Sequence, residues 1–384
     1  MNVSQSLKFL MFSTAVLAGA GWAQGEPGVQ RVAELLSGHP GSGREKSTGL
    51  YSYYSSGSHR LTEKSRQIIR DFAMKSLPAA ALATQTVYYP FGGPDVLYPA
   101  LFFPNMRTLV LVAGEFVGQL PSGSEESIAG LRGYALTYIK QLLNLSFYQT
   151  KAMKEQQADK KLATLTKIVA TLGMMGAKIS SLEEITLSPT GEVLPLVRGN
   201  AKELAYAVRI KCVIPGSVME RTIYYFQQNL GASEYMTRPP LQDSPGFQAF
   251  VNNLDGGYTA FLKAASYKSH EKGFELSNEL ILRAHFIVQT DTGVPFRTFD
   301  ENEWTVKFFG NYNGPTPREL FNYIPYEKDL AAAINASKGA KLAPATMHNF
   351  IDSYGGPLPF AYDYAGSRQV LIYAVKRPRL APTR

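Results

Sequence analysis

Two aspartates, a lysine and an arginine stand in the three stretches of this chain whose residue types could do chemistry. The first stretch, TVYYPFGGPDVLYPALFFPN (86–105), sets Asp95 among four prolines, two glycines and six aromatics. Prolines fix φ and remove donors, and Gly92 and Gly93 permit left-handed backbone, so the segment follows a rigid, non-repetitive path at a strand end. Directly after Gly-Gly-Pro, Asp95 can bond its own turn. Alternatively, the rigid loop holds it in a cleft walled by Tyr89, Phe91 and Tyr98, as a general acid/base or as an acceptor for sugar hydroxyls.

The second stretch, HFIVQTDTGVPFR (285–297), puts Gln289, Asp291 and Arg297 around a strand end and a Thr-Gly turn. Asp291 can pair with Arg297 to orient the loop, or face Asp95 as the second of two carboxylates across a cleft. In the third, FLKAASYKSHEKGF (261–274), Lys263, Ser266, Tyr267 and His270 fall at i, i+3, i+4 and i+7 and would share one face of an α-helix. That face is either solvated or supplies a lysine and a hydroxyl to one of the loops. The catalytic candidates are therefore Asp95, Lys263, Asp291 and Arg297. Tyr89, Phe91, Tyr98, Tyr267, His270 and Gln289 are the candidates for ligand contact.

Stronger signatures are missing from the sequence. It has no G-x-S-x-G elbow, no H-E-x-x-H and no paired cysteines, and its five histidines lack zinc-ligand spacing. GSGREKST (41–48) has a glutamate where a phosphate loop needs glycine, and SHEK (269–272) lacks the partner motifs of penicillin-recognising enzymes. Neither a metal nor a cofactor is expected.

The elements that must position these residues read as a mixture. TEKSRQIIRDFAMKS (62–76) has amphipathic helical spacing and stops before Pro78. TVYYPF and MRTLVLVAGEFVG read as strands, the second buried on both sides. SGSEESIAGLRGYALTYIKQLLNLS (122–146) opens on serine and early glutamates and continues at helical spacing. Further helices are expected at 147–157 and 161–175. Alternating segments between residues 182 and 230, with turns at Pro189–Gly191 and Pro215–Gly216, predict an antiparallel meander. Downstream, SPGFQAFVNNL (244–254) and YTAFLKAASYKSH (258–270) read as helices or buried turns, and a helix at 327–338, a change from helix to strand near His285, and strands at 303–312 and 368–377 complete the reading. The class predicted is α+β, with mixed helices and a largely antiparallel sheet in irregular order. Residues 24–60, rich in Gly, Ser and Pro, read as a flexible lead-in with a short helix at 29–36. A helix-rich half (61–195) and a strand-rich half (196–378) are expected to pack as one unit, ahead of a tail at 379–384.

The amino terminus, MNVSQSLKFLMFSTAVLAGAGWAQG, carries one lysine, an apolar run and small residues up to Ala23. This is the pattern of a secretory signal peptide over residues 1–23, and it predicts a periplasmic or secreted protein. No later segment offers 18 apolar residues free of charge, so no transmembrane segment is expected once the signal is cleaved. Cys212 is the one cysteine, so no internal disulfide can form. The net charge of +8 points, for an exported chain, to anionic envelope surfaces or polysaccharide rather than nucleic acid.

Three of these stretches, YYPFGGPD, FLKAASY and VQTDTGVPFR, resemble the words Y-P-F-[SG]-G-P-D, L-K-[SA]-A-S-Y and Q-x-D-[ST]-G-[IV]-P of an uncharacterised family of exported bacterial proteins. The resemblance covers most of residues 85–330 and implies export, but no reaction. Thr290 stands at the x of the third word, where the family's fuller form Q-D-[DT]-[ST]-G-[IV]-P-[YF] has an acid beside Asp291. The leading expectation is a binding or envelope-associated role through an aromatic, proline-rich cleft, with a polysaccharide or lipid ligand. The alternative is a hydrolase or lyase on an envelope polymer, with Asp95 as acid/base.

Overall fold

A computed structural model describes residues 27–37, 57–122, 124–145, 163–197, 205–232, 238–254, 257–312, 326–339, 351–360 and 370–378. The expected signal peptide, the helix at 147–157 and the tail at 379–384 lie outside the described residues. In chain order the elements begin with helices α1 (Pro27–Ser37), α2 (Gly57–Ser76) and α3 (Ala79–Leu82). Strand β1 (Thr86–Pro90), helix α4 (Leu97–Phe102) and strand β2 (Thr108–Ala113) follow, then α5 (Glu125–Leu145) and α6 (Thr164–Met174). The meander comprises β3 (Lys178–Leu187), β4 (Val193–Pro195), β5 (Ala207–Val213) and β6 (Glu220–Gln227). After α7 (Pro245–Asn252) come β7 (Thr259–Phe261), a 3₁₀ helix (Ala264–His270), α8 (Glu275–Leu282) and β8 (Phe286–Gln289). Strand β9 (Trp304–Phe309), α9 (Lys328–Ser337), β10 (Ile351–Tyr354) and β11 (Leu371–Lys376) complete the described chain.

The fold is α+β. Its sheet is ordered β10-β9-β11-β8-β7-β1-β2-β6-β5-β3-β4. The meander β6-β5-β3-β4 is antiparallel, as the turns at Gly191 and Gly216 predict, and β11 runs antiparallel to both β8 and β9. Between these flanks β8, β7, β1, β2 and β6 are mutually parallel. Parallel strands buried on both faces need near-continuous apolar sequence, and TLVLVA in β2 supplies it. Leu109 and Leu111 enter one core while Val110 and Val112 enter the other.

The two cores lie on opposite faces of the sheet. One is built by α1, α2, α4, α5 and α6; the other by α7, α8 and α9. Within the expected lead-in, α1 packs Val29, Val32, Ala33 and Leu36 into the first core, because its apolar residues recur at helical spacing. Right-handed crossovers explain the division. From β1 the chain passes through α4 on the first face to β2, stepping one way along the sheet. From β7 it passes through α8 on the second face to β8, stepping the other way. The neighbours β1 and β7 therefore form a topological switch point, and the crevice outside the carboxyl ends of such strands is where open sheets hold ligands.

Candidate functional site

Asp95 is fixed first by its own loop. Phe91, the residue after β1, has φ near 61°, the left-handed region that few bulky residues enter, and Gly93 follows at φ 53°. These two reversals fold the chain so that the Asp95 N–H donates to the Gly92 carbonyl at 3.2 Å. A Cβ on Gly92 would lie 2.6 Å from the Tyr89 ring, so only glycine lets that ring lie over the turn. In that position the Tyr89 hydroxyl donates to Asp95 Oδ2 at 3.2 Å, and the Tyr98 N–H, in the first turn of α4, donates to Oδ1 at 3.1 Å. From α5, the Tyr138 hydroxyl donates to the Pro94 carbonyl at 3.3 Å and clamps the loop from the first face.

The remaining partner of Asp95 arrives from β7. Lys263 leaves that strand in extended conformation, and its Nζ donates to Asp95 Oδ2 at 2.9 Å. The same ammonium lies 3.1 Å from the centroid of the Tyr98 ring, and Tyr89 packs edge-on against Phe261 with centroids 4.9 Å apart. Both charged residues are buried, at 3% and 2% exposure. A buried ion pair is tolerated only where geometry and hydrogen bonds offset desolvation, and two further donors on Asp95 meet that need. Burial, and then the Asp95 charge, push the Tyr98 phenol far above its ordinary range, so it stays protonated.

The segment after Lys263 departs from expectation. It is a 3₁₀ helix, not an α-helix, so the stripe repeats every third residue. Lys263, Ser266 and Ser269 are the buried stripe, and Tyr267 and His270 form a separate, half-exposed one. The four polar residues predicted to share a face are thereby divided between a floor and a rim.

At the end of β8, Gln289 is consumed internally. Its amide donates to the Val294 carbonyl at 2.8 Å and accepts from the Val294 N–H at 3.0 Å, with Gly293 packed too closely for any Cβ. This fixes the loop instead of facing a ligand. Thr290 and Thr292 share a hydroxyl hydrogen bond of 2.6 Å, and Thr292 reaches Ser266 at 3.2 Å, tying the loop to the 3₁₀ helix. Asp291 is buried at 2% exposure, whereas Arg297 is exposed and, among the described residues, makes no ion pair; the expected Asp291–Arg297 bridge does not form. Strand β7 lies between the strands that lead to Asp95 and to Asp291.

The carboxyl that Asp291 does influence is Glu327, a residue the sequence reading passed over. Its oxygens accept the Phe296 N–H at 3.1 and 3.2 Å, and its own N–H donates to the Tyr312 hydroxyl at 3.0 Å. Burial raises its carboxyl to about 7, the Phe296 N–H and Arg297 oppose the rise, and Asp291 adds to it. His270 moves the other way, to about 4, chiefly through burial and partly through the Arg297 charge. Backbone groups of Gly293 and Asp291 oppose that fall, and its Nε2 is buried without a hydrogen-bond partner among the described residues. Nothing in YEKDL marks Glu327, since an acid at a helix start has an ordinary role beside the dipole.

Glu115 was also missed, although an acid directly after a buried strand is a usable signal. It follows β2 at the same edge, with its carboxyl raised by burial and restrained by Lys167 of α6. Among the described residues no group of three or more His, Cys, Asp or Glu could hold a metal ion. No described helix is long and apolar enough to cross a membrane. The structure thus brings Asp95 and Lys263 into contact, sets Asp291 and Arg297 after β8, one strand beyond β7, keeps His270 on the 3₁₀ helix that follows β7, and turns Gln289 inward. Comparison with protein-family models, curated proteins and solved structures returns no match.

Proposed function

We propose that this is an exported protein, periplasmic or secreted, that binds an envelope ligand at the carboxyl ends of β1, β7 and β8. The observation that carries the reading is the convergence of three motifs, distant in sequence, on the switch point of the sheet. There a buried polar floor of Asp95, Lys263, Ser266, Thr290 and Thr292 meets a rim of half-exposed Phe91, Tyr267 and His270 and exposed Arg297. Asp95 already accepts from Lys263, Tyr89 and Tyr98, which favours an anchor over an acid/base and so favours binding over the hydrolase or lyase alternative. The net charge of +8 supports an anionic envelope as the setting. The ligand is polysaccharide or lipid, and nucleic acid has no part in the reading.

Two measurements test it. Fractionation with mass analysis should find the mature chain outside the cytoplasm, cleaved near Ala23. Co-sedimentation with purified envelope polysaccharide and with lipid vesicles should show binding to one of them, weakened by Arg297→Ala and Tyr267→Ala. A full-length cytoplasmic chain, or binding indifferent to both rim variants, would refute the reading.

A further inference from the structure

Arg238 is an arginine that the fold holds in place and leaves without an acid. The two glutamines that end and follow β6 set its position. The Gln227 N–H donates to the Tyr206 carbonyl at 2.7 Å, and Gln228 Nε2 donates to the Pro239 carbonyl at 3.2 Å and to the Ser244 hydroxyl at 3.0 Å. Tyr206, just ahead of β5, and the Arg238-Pro239 segment thereby meet at the carboxyl end of β6, two strands from β1 along the same edge of the sheet. There the Arg238 Cζ lies over the Tyr206 ring, 4.1 Å from its centroid. Contact with a ring face fixes a guanidinium without using up its N–H donors. Among the described residues Arg238 makes neither an ion pair nor a hydrogen bond, whereas Arg209 of β5 has Glu183. Of its three nitrogens only Nε is both buried and unbonded, so the two Nη groups remain open, as does Tyr206 at 36% exposure. Burial disfavours the charge of the half-buried guanidinium, and Tyr206 offsets only part of that cost. An anion at the Nη pair would offset more of it. The planar fork matches the two oxygens of a carboxylate, each accepting one N–H, and the exposed phenol ring gives a sugar ring a flank to lie against.

We infer that Arg238, set against Tyr206, is a second ligand site on this edge of the sheet, one that takes the carboxylate of an acidic saccharide. The inference goes beyond the switch-point site and rests on the reading above only for its envelope setting. The test measures binding to the full mature chain by calorimetry with three probes: oligogalacturonate, the same oligomer with its carboxyls methyl-esterified, and phosphatidylglycerol vesicles. Oligogalacturonate should bind at least about 10-fold more tightly than its ester. Arg238→Gln should weaken its binding roughly 10- to 100-fold, as loss of a charged hydrogen-bonding group predicts. Arg238→Lys, which keeps the charge but not the fork, should recover part of that loss. The comparison of acid with ester is read in the unaltered protein, so a poorly folded variant does not decide the outcome. Equal binding of acid and ester, affinity indifferent to Arg238→Gln, a loss confined to Arg297→Ala, or binding to the vesicles alone overturns the carboxylate site while the envelope-binding reading stands. Binding to neither oligomer nor to the vesicles overturns both.

Discussion

Replacing Lys263 by methionine removes the cation from the switch point while keeping most of its length. Asp95 then remains buried at 3% exposure with two donors, the Tyr89 hydroxyl and the Tyr98 N–H, where it had three. Stranding one member of a buried ion pair costs about 3–5 kcal/mol. The two surviving hydrogen bonds argue for the lower part of that range. Loss of the ammonium over the Tyr98 ring, 3.1 Å away, adds back about 1–2 kcal/mol for a desolvated cation–π contact. The expected total is about 4 kcal/mol, a large fraction of the 5–15 kcal/mol typical of a folded chain. Urea unfolding should read it as a midpoint lowered by roughly 1 M, since slopes for chains of this size exceed about 3 kcal/mol per M. Asp95→Asn in the Lys263→Met background should recover at least about 2 kcal/mol, because the stranded charge is then gone. A loss below about 1 kcal/mol, the size of an exposed pair, would refute the reasoning. So would a double variant no more stable than the sum of the single losses.

Other perturbations have defined outcomes. Glu327 holds its proton up to about pH 7 when folded, against an ordinary value of 4.5, so its contribution is fully present below about pH 4 and is lost as pH rises through 7. The loss approaches roughly 3 kcal/mol, and urea midpoints of Glu327→Gln against pH should lack that decline. His270, near 4 when folded against 6.5, contributes in the opposite sense: its share is complete above pH 6.5 and is lost as pH falls through 4, a limb His270→Gln should flatten. Gly92→Ala drives a Cβ to 2.6 Å from the Tyr89 ring, and overpacking of this kind costs about 1–3 kcal/mol in calorimetry; an unchanged melting temperature would contradict the turn geometry. Cys212, fully buried and with its thiol pushed up to about 12, should resist a thiol-specific chromogenic reagent until urea unfolds the chain, and rapid labelling of the native protein would contradict its burial.

Period and turn chemistry made most of the elements legible. The alternation in YAVRIKCV and RTIYYFQ, with Gly191 and Gly216 at the turns, forecasts β3 to β6, and the spacing in TEKSRQIIRDFAMKS forecasts α2. What strand pattern leaves open is who pairs with whom. Nothing local in TVYYP says that its neighbour is TAF, more than 170 residues away, and that pairing is what delivers Lys263 to Asp95. The spacing of Lys263, Ser266, Tyr267 and His270 was read on 3.6 residues per turn, where the chain uses three. The aspartate in PFGGPD was legible as a rigidly held group, and it both bonds its own turn and accepts from a lysine. Glu327 acquires its character from burial in the tertiary fold, where it accepts from Phe296, thirty-one positions earlier, and no short-range signal carries that.

The position of β1 has a consequence for the order in which the molecule can assemble. One flank of β1 is covered by β2 after a short crossover, but the other stays open until residue 259 has been made. Until then an apolar strand has a bare edge, the kind that pairs with the wrong partner, and Asp95 has no cation. A chain with such distant pairings folds slowly, because loop closure precedes any gain. The lysine that completes the crevice is therefore also the latch that closes the middle of the sheet, and it arrives late in synthesis.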